Sequence, residues 1–122
     1  MIYQIIHGNS LDLEFQTQRL LPSNPAAIVL DPPFEFYNHP IQALFPDVAM
    51  LIVPRKRRYG DLSGMISGFL ANAPDGMILD PFAGQGTTLR ECIKDERDCL
   101  LVEKERQYVD LLLAEFPQLV EV

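Results

Sequence analysis

Met77-Ile78-Leu79-Asp80-Pro81-Phe82-Ala83-Gly84-Gln85-Gly86-Thr87-Thr88 is the stretch whose reading decides the fold. Three apolar residues of strand character run into an acid and a proline. A turn with two glycines follows, and Thr87-Thr88 opens a segment of helical period. A strand, turn and helix of this kind bring bare backbone close to a ligand beside a helix N-terminus. The segment is not a phosphate loop, because no Gly-Lys-Ser/Thr follows, and its glycine spacing is not that of the dinucleotide fingerprint. From these residues alone a plain turn, with Asp80 or Thr87 capping a helix, is an equal reading.

On either side of this unit the same alternation recurs. Ile2 to Ile6, Ala26 to Leu30, Val48 to Val53, Met77 to Leu79 and Cys99 to Val102 read as near-continuous apolar strands, as strands buried on both faces do. Helical segments are expected over Asp12 to Leu20, Pro40 to Phe45, Leu62 to Leu70, Thr87 to Lys94 and Arg106 to Phe116. In the last, Tyr108, Leu111, Leu112 and Glu115 or Phe116 recur at helical spacing. The pattern implies an α/β fold, an open and mainly parallel five-stranded sheet with helices on both faces. With right-handed crossovers, the loops after the strands open on one carboxyl edge. There His7-Gly8-Asn9-Ser10, Asp31 to Phe34, Pro54 to Tyr59, Asp80 to Gly86 and Glu103 converge.

Composition narrows the class. With 122 residues, 48% hydrophobic and 22% charged, the chain reads as a single domain over 1–122 with room for one core and none for a separate recognition domain. No apolar run reaches membrane-span length and no signal segment is evident, so a cytoplasmic protein without a membrane partner is expected. Cys92 and Cys99 read as small core hydrophobes, and no Cys/His spacing suggests a metal. The net charge of −7 repels polyanions; Arg55, Lys56, Arg57 and Arg58, the sole basic cluster, read first as a solvated loop, and their place on the carboxyl edge makes phosphate contacts the second reading. His7 and His39 read as ordinary polar loop residues.

Asp31-Pro32-Pro33-Phe34 ends the second strand. The two prolines fix φ and remove two donors, leaving a rigid acceptor surface. From these residues alone a strand-ending turn with Phe34 tucked into the core is the leading reading.

Asp80-Pro81-Phe82-Ala83-Gly84-Gln85-Gly86-Thr87-Thr88 resembles the S-adenosylmethionine-binding motif of the DNA amino-methyltransferases, and Asp31-Pro32-Pro33-Phe34 resembles their catalytic motif, with Phe in place of the usual Tyr. Catalytic before cofactor motif is the order of their permuted β class. The resemblance implies catalytic roles for Asp31, Pro32, Pro33 and Phe34: the Asp31 carboxylate and the Pro32 carbonyl hold the hydrogens of an exocyclic amino group and free its lone pair to attack an electrophile, and Phe34 stacks on an extruded base. It implies a cofactor site made by Asp80, Pro81, Phe82, Ala83, Gly84, Gly86, Thr87 and Thr88, with Glu103 accepting the ribose hydroxyls. Gly8-Asn9-Ser10 is similar to the family's Gly-Asp-Ser segment, which adds Asn9. Tyr59 to Leu70, with Asp61 and Ser63, occupies the place of the family helix packed on the methionine end, without its usual Lys-Pro. The implied spatial order of strands, numbered along the chain, is 1-5-4-2-3, with the first and third at the edges. The implied activity is methyl transfer to a DNA base, with Asp31 pointing to adenine N6.

The chain departs from that family by its brevity. Pro54 to Asp75 is too short for a target recognition region. The resemblance therefore implies a minimal enzyme of phage or prophage origin, with low DNA affinity alone and a homodimer or a separate recognition subunit covering the third strand. A non-catalytic S-adenosylmethionine-binding subunit and an amino-methyltransferase acting on RNA or protein glutamine are the alternatives.

Overall fold

The computed structural model describes residues 1–32, 38–54 and 61–122. The five apolar runs become β1 (Tyr3–His7), β2 (Ala27–Leu30), β3 (Ala49–Ile52), β4 (Ile78–Asp80) and β5 (Cys99–Glu103). β2, β4 and β5 are buried at every residue, which is why they read as continuous rather than alternating. The sheet order is β3-β2-β4-β5-β1-β6, all pairs parallel. Read from the opposite edge, this is the expected order with one strand added.

The addition, β6 (Val120–Glu121), pairs with β1 and corrects the expectation that β1 is an edge. Two residues are too few to show a period in sequence. They are held by Arg106, whose Nη1 and Nη2 donate to Glu121 at 2.7 and 2.6 Å. The Val122 N–H also donates to Ile5 O at 2.9 Å. β3 remains at the other edge, with Ile52 40% exposed.

Alternation along each strand divides the core between two faces. Ile5, Val29 and Leu101 meet Ile66 and Leu70 of α3 (Asp61–Asn72), Leu89 and Cys92 of α4 (Thr87–Lys94), and Val109 and Leu112 of α5 (Arg106–Glu115). On the other face Ile28, Leu30, Leu79 and Val102 pack with Leu20 and with Ile41 of α2 (Asn38–Leu44). Each buried aliphatic side chain stabilises the fold by about 1.5–3 kcal/mol. Cys92 and Cys99 are free thiols within the first core.

Two local readings change. The segment expected as a helix from Asp12 to Leu20 starts as expected, with Asp12 Oδ1 accepting the Phe15 N–H at 2.9 Å. It is α-helical only over α1 (Leu13–Phe15), then π-helical over Gln16–Leu20 and 3₁₀ over Leu21–Ser23. Gln16 is buried there and donates Nε2 to Ser10 O at 2.9 Å, while Leu20 fills the core.

Helix α5 is rotated by one residue from its expected phase. Val109 and Leu112 are buried, with Leu113 and Phe116 packed beside them. That stripe has the same spacing as the one containing Tyr108 and Leu111, so periodicity could not separate them. Tyr108 and Leu111 face outward, 44% and 63% exposed. In urea unfolding, Leu112→Ala should cost about 2–5 kcal/mol, and Leu111→Ala should stay within about 0.5 kcal/mol. The reverse ranking would contradict this packing.

Candidate active site

The chain leaving β4 turns toward β5 through α4, whereas the chain leaving β2 turns toward β3 through α2. β4 and β2 are neighbours, so the sheet's switch point lies between their carboxyl ends, where open α/β sheets bind ligands. Asp80 ends β4 and Asp31 follows β2. The register sets their depth. Asp80 is level with Leu101, two residues short of Glu103, and Glu103 is level with His7. Ile28 pairs with Leu79, so Asp31 likewise extends two residues beyond the level of Asp80. Asp80 therefore forms a floor, with Asp31 and Glu103 at the rim.

Asp80 is 3% exposed and closes its own turn. Oδ1 accepts the Phe82 N–H at 3.0 Å and Oδ2 the Thr88 hydroxyl at 2.6 Å. Burial raises its pKa to about 7. The two hydrogen bonds oppose that rise, and the Asp31 and Glu103 carboxylates add to it.

The turn is tied at further points. Ala83 N–H donates to Val102 O at 2.9 Å. The Ser10 hydroxyl donates to Pro81 O at 2.8 Å. Arg90 Nη1 donates to Gln85 O at 2.9 Å. Gly86 caps α4 with φ +81, and a Cβ there would lie 2.6 Å from Leu112 Cδ2.

Glu103 spans from the turn to its own strand end. Oε1 accepts the Gly84 N–H at 3.1 Å and Oε2 the Glu105 N–H at 2.8 Å. Each carboxylate oxygen retains a second lone pair. Beside it, Gly8 N–H donates to Glu103 O at 3.0 Å, and Asn9 Oδ1 accepts the Leu11 N–H at 3.0 Å. The Gly8-Asn9-Ser10 loop is thereby set against the end of β5.

Among the described residues, two cavities on this edge share Asp31. The larger, of about 510 Å³, lies between the Gly8–Leu11 loop and the end of β5, with Glu103 and Tyr108 in its wall. The smaller, of about 290 Å³, lies between Leu62 and Ile66 of α3 and the Thr87-Thr88 start of α4, over Asp80. They share Asp31, Phe82 and Gly84. Gly84 has φ +53, in the left-handed region, and a Cβ placed on it would meet no atom nearer than Phe82 O at 4.0 Å.

Of the residues singled out in the sequence, Asn9, Asp31, Asp80, Pro81, Phe82, Ala83, Gly84, Thr87, Thr88 and Glu103 line one or both cavities. Pro32 and Gly86 line neither. Pro33 and Phe34 of the proposed catalytic motif, and Arg55, Lys56, Arg57 and Arg58, lie outside the described residues. Lys104, Tyr108 and Ile66 join the walls unannounced, Tyr108 because its helix is turned from the expected phase. Among the described residues no group of three or more His, Cys, Asp or Glu is arranged to hold a metal, and no helix is long and apolar enough to cross a membrane.

Because the Asp80 pKa is raised on folding, the native state binds more protons than the unfolded chain between about pH 4 and 7. Its contribution to stability therefore falls as pH rises through that window. Urea midpoints of wild type and Asp80→Asn at about pH 5 and about pH 7.5 check this. The wild type should lose more stability than the variant over the interval, and a gap independent of pH would contradict it.

The comparisons with known proteins meet at this same edge. The N6_N4_Mtase family, described as DNA methylase, matches residues 70–115, which contain the Asp80 turn and Glu103. No curated protein matches the chain significantly. A crystal structure of M1.HpyAVI superposes with a TM-score of 0.68 at 17% identity, covering 93% of this chain and 98% of that one. A structure of the M1.HpyAVI-SAM complex superposes with a TM-score of 0.68 at 15% identity, covering 94% and 100%. The chain thus has the fold of M1.HpyAVI over nearly its whole length, and its segment 70–115 carries the pattern of the DNA methylase family.

Proposed function

We propose that this chain is an S-adenosylmethionine-dependent methyltransferase acting on an exocyclic amino group of a DNA base, adenine N6. The observation that carries the reading is the pair of cavities meeting at Asp31, with Glu103 in the far wall of the larger one. The cofactor is likewise two arms joined at one sulfur. The larger cavity falls within the about 300–1,000 Å³ range of small-molecule sites. A ribose diol fits the two remaining lone pairs of Glu103, and Asn9, which lines the same cavity, is assigned to the adenosine end. The amino-acid arm fits the smaller cavity, beside the N-terminus of α4, and the open space left by Gly84 joins the two. When bound, S-adenosylmethionine supplies an electrophilic methyl group on a sulfonium.

The protein's part is orientation and proton handling. Asp31 faces both cavities, so its carboxylate reaches the point where the arms join. There it accepts an amino N–H of the target base, turning the nitrogen lone pair toward the methyl group, and it takes the proton the nitrogen must lose. The Pro32 carbonyl is a second acceptor for the same amino group. Stacking of the extruded base is assigned to Phe34 and phosphate contact to Arg55, Lys56, Arg57 and Arg58.

The family match to a DNA methylase supports DNA as substrate. Arg90, Lys94, Arg97 and Arg106 are each paired with a carboxylate, which leaves them poor phosphate ligands and supports low DNA affinity for the chain alone. A second copy or a recognition subunit at the β3 edge completes the enzyme in this reading.

Calorimetry with S-adenosylmethionine and labelled-methyl incorporation into mixed DNA test the proposal. Glu103→Ala should bind the cofactor about ten- to a hundredfold more weakly, as expected for losing hydrogen bonds to a charged group. Asp31→Ala should retain binding and lose incorporation into N6-methyladenine. Equal incorporation by wild type and Asp31→Ala would remove Asp31 from the chemistry.

A further inference from the structure

Helix α3 forms one wall of the smaller cavity through Leu62 and Ile66, and polar ties fasten both its ends. At the C-terminal end, Arg97 Nη1 donates to Leu70 O at 2.9 Å and Nη2 to Pro74 O at 2.5 Å. Leu70 O, in the last turn, also accepts the Ala73 N–H at 3.3 Å, and Pro74 lies just beyond the helix. At the N-terminal end, the Ser63 hydroxyl donates to Glu91 Oε1. Glu91 belongs to α4 and is only 6% exposed. Among the described residues, its other side-chain partner is Lys94, whose Nζ lies 3.4 Å from the same oxygen.

A carboxylate in that position is an expensive way to join two helices. Burying the charge is costly, and a single hydroxyl with one exposed ammonium is a sparse return. An apolar residue would serve packing better. What the carboxylate provides is a directional bond at one place: Thr87 and Thr88, one turn before Glu91, line the same cavity as Leu62 and Ile66. The Ser63–Glu91 bond thus ties the wall made by α3 to the wall made by the first turn of α4.

We infer that Glu91 is a positioning residue which, through the Ser63 hydroxyl, holds α3 against α4 and sets the width of the cavity that takes the amino-acid arm of the cofactor. The inference rests on the cofactor reading above and deepens it. Ser63 then acts as the near half of a clasp rather than as a ligand of the cofactor. The larger cavity contains no α3 residue, so loosening the clasp leaves the adenosine end unaffected.

Two ligands separate this role from a general structural one. S-adenosylmethionine uses both cavities, and 5′-methylthioadenosine lacks the amino-acid arm. In calorimetric titrations, Glu91→Ala and Ser63→Ala should bind S-adenosylmethionine about tenfold more weakly and methylthioadenosine within about twofold of wild type. Glu91→Gln, whose amide oxygen still accepts the Ser63 hydroxyl, should keep both affinities, as should Lys94→Ala. Equal weakening of the two ligands, or an unchanged S-adenosylmethionine affinity in Ser63→Ala, overturns the inference. If Glu91→Ala does not fold, Ser63→Ala removes the same bond and decides the matter alone. A wild-type chain that binds neither ligand overturns the cofactor reading itself, and this inference with it.

Discussion

The buried Asp80 carboxylate governs the arrangement of the site. It stands at the end of a central strand with almost no access to water, and its two oxygens are taken up by the Phe82 amide and the Thr88 hydroxyl. Those two bonds close the turn that follows and aim the first turn of α4 at the cavity. The turn in turn places Gly84 where its amide reaches Glu103. A neutral side chain would relieve the cost of burial and lose the double acceptance, so the chain keeps the acid and tolerates a pKa raised to about 7. Raised stability at low pH and a well-set turn at neutral pH are two consequences of one placement.

The carboxylates on this edge differ in level, and the level follows from strand register. Asp80 ends its strand two residues short of Glu103, so one acid is a floor and the other a rim. Asp31 reaches the rim from the strand on the opposite side of β4. Neighbouring strands that send their chains in opposite directions open a crevice between them. Asp31 and Asp80 stand on its two sides, which is why one side chain can face both cavities.

Much of this was legible in the chain itself. The first five strands announce themselves as apolar runs, and the turn from Asp80 to Thr88 and the acid at 103 can be located by eye. The order of strands followed from the resemblance carried by two short motifs. What escaped did so for physical reasons. β6 is two residues long and owes its place to Arg106, fifteen positions away from Glu121 in sequence, so no local pattern marks it. The phase of α5 was undetermined because Val109, Leu112, Leu113 and Phe116 share the spacing of the stripe with Tyr108 and Leu111. The Ser63–Glu91 bond joins residues 28 positions apart and becomes visible only when two helices are seen side by side.

The account stands or falls on one ligand occupying both cavities with its sulfur beside Asp31. A crystal structure of the chain with S-adenosylmethionine tests this most directly. The expected result is the ribose diol on the Glu103 carboxylate, the amino-acid arm between α3 and the start of α4, and the sulfonium methyl facing Asp31. A cofactor lying in the larger cavity alone, or with its methyl group turned away from Asp31, would contradict it.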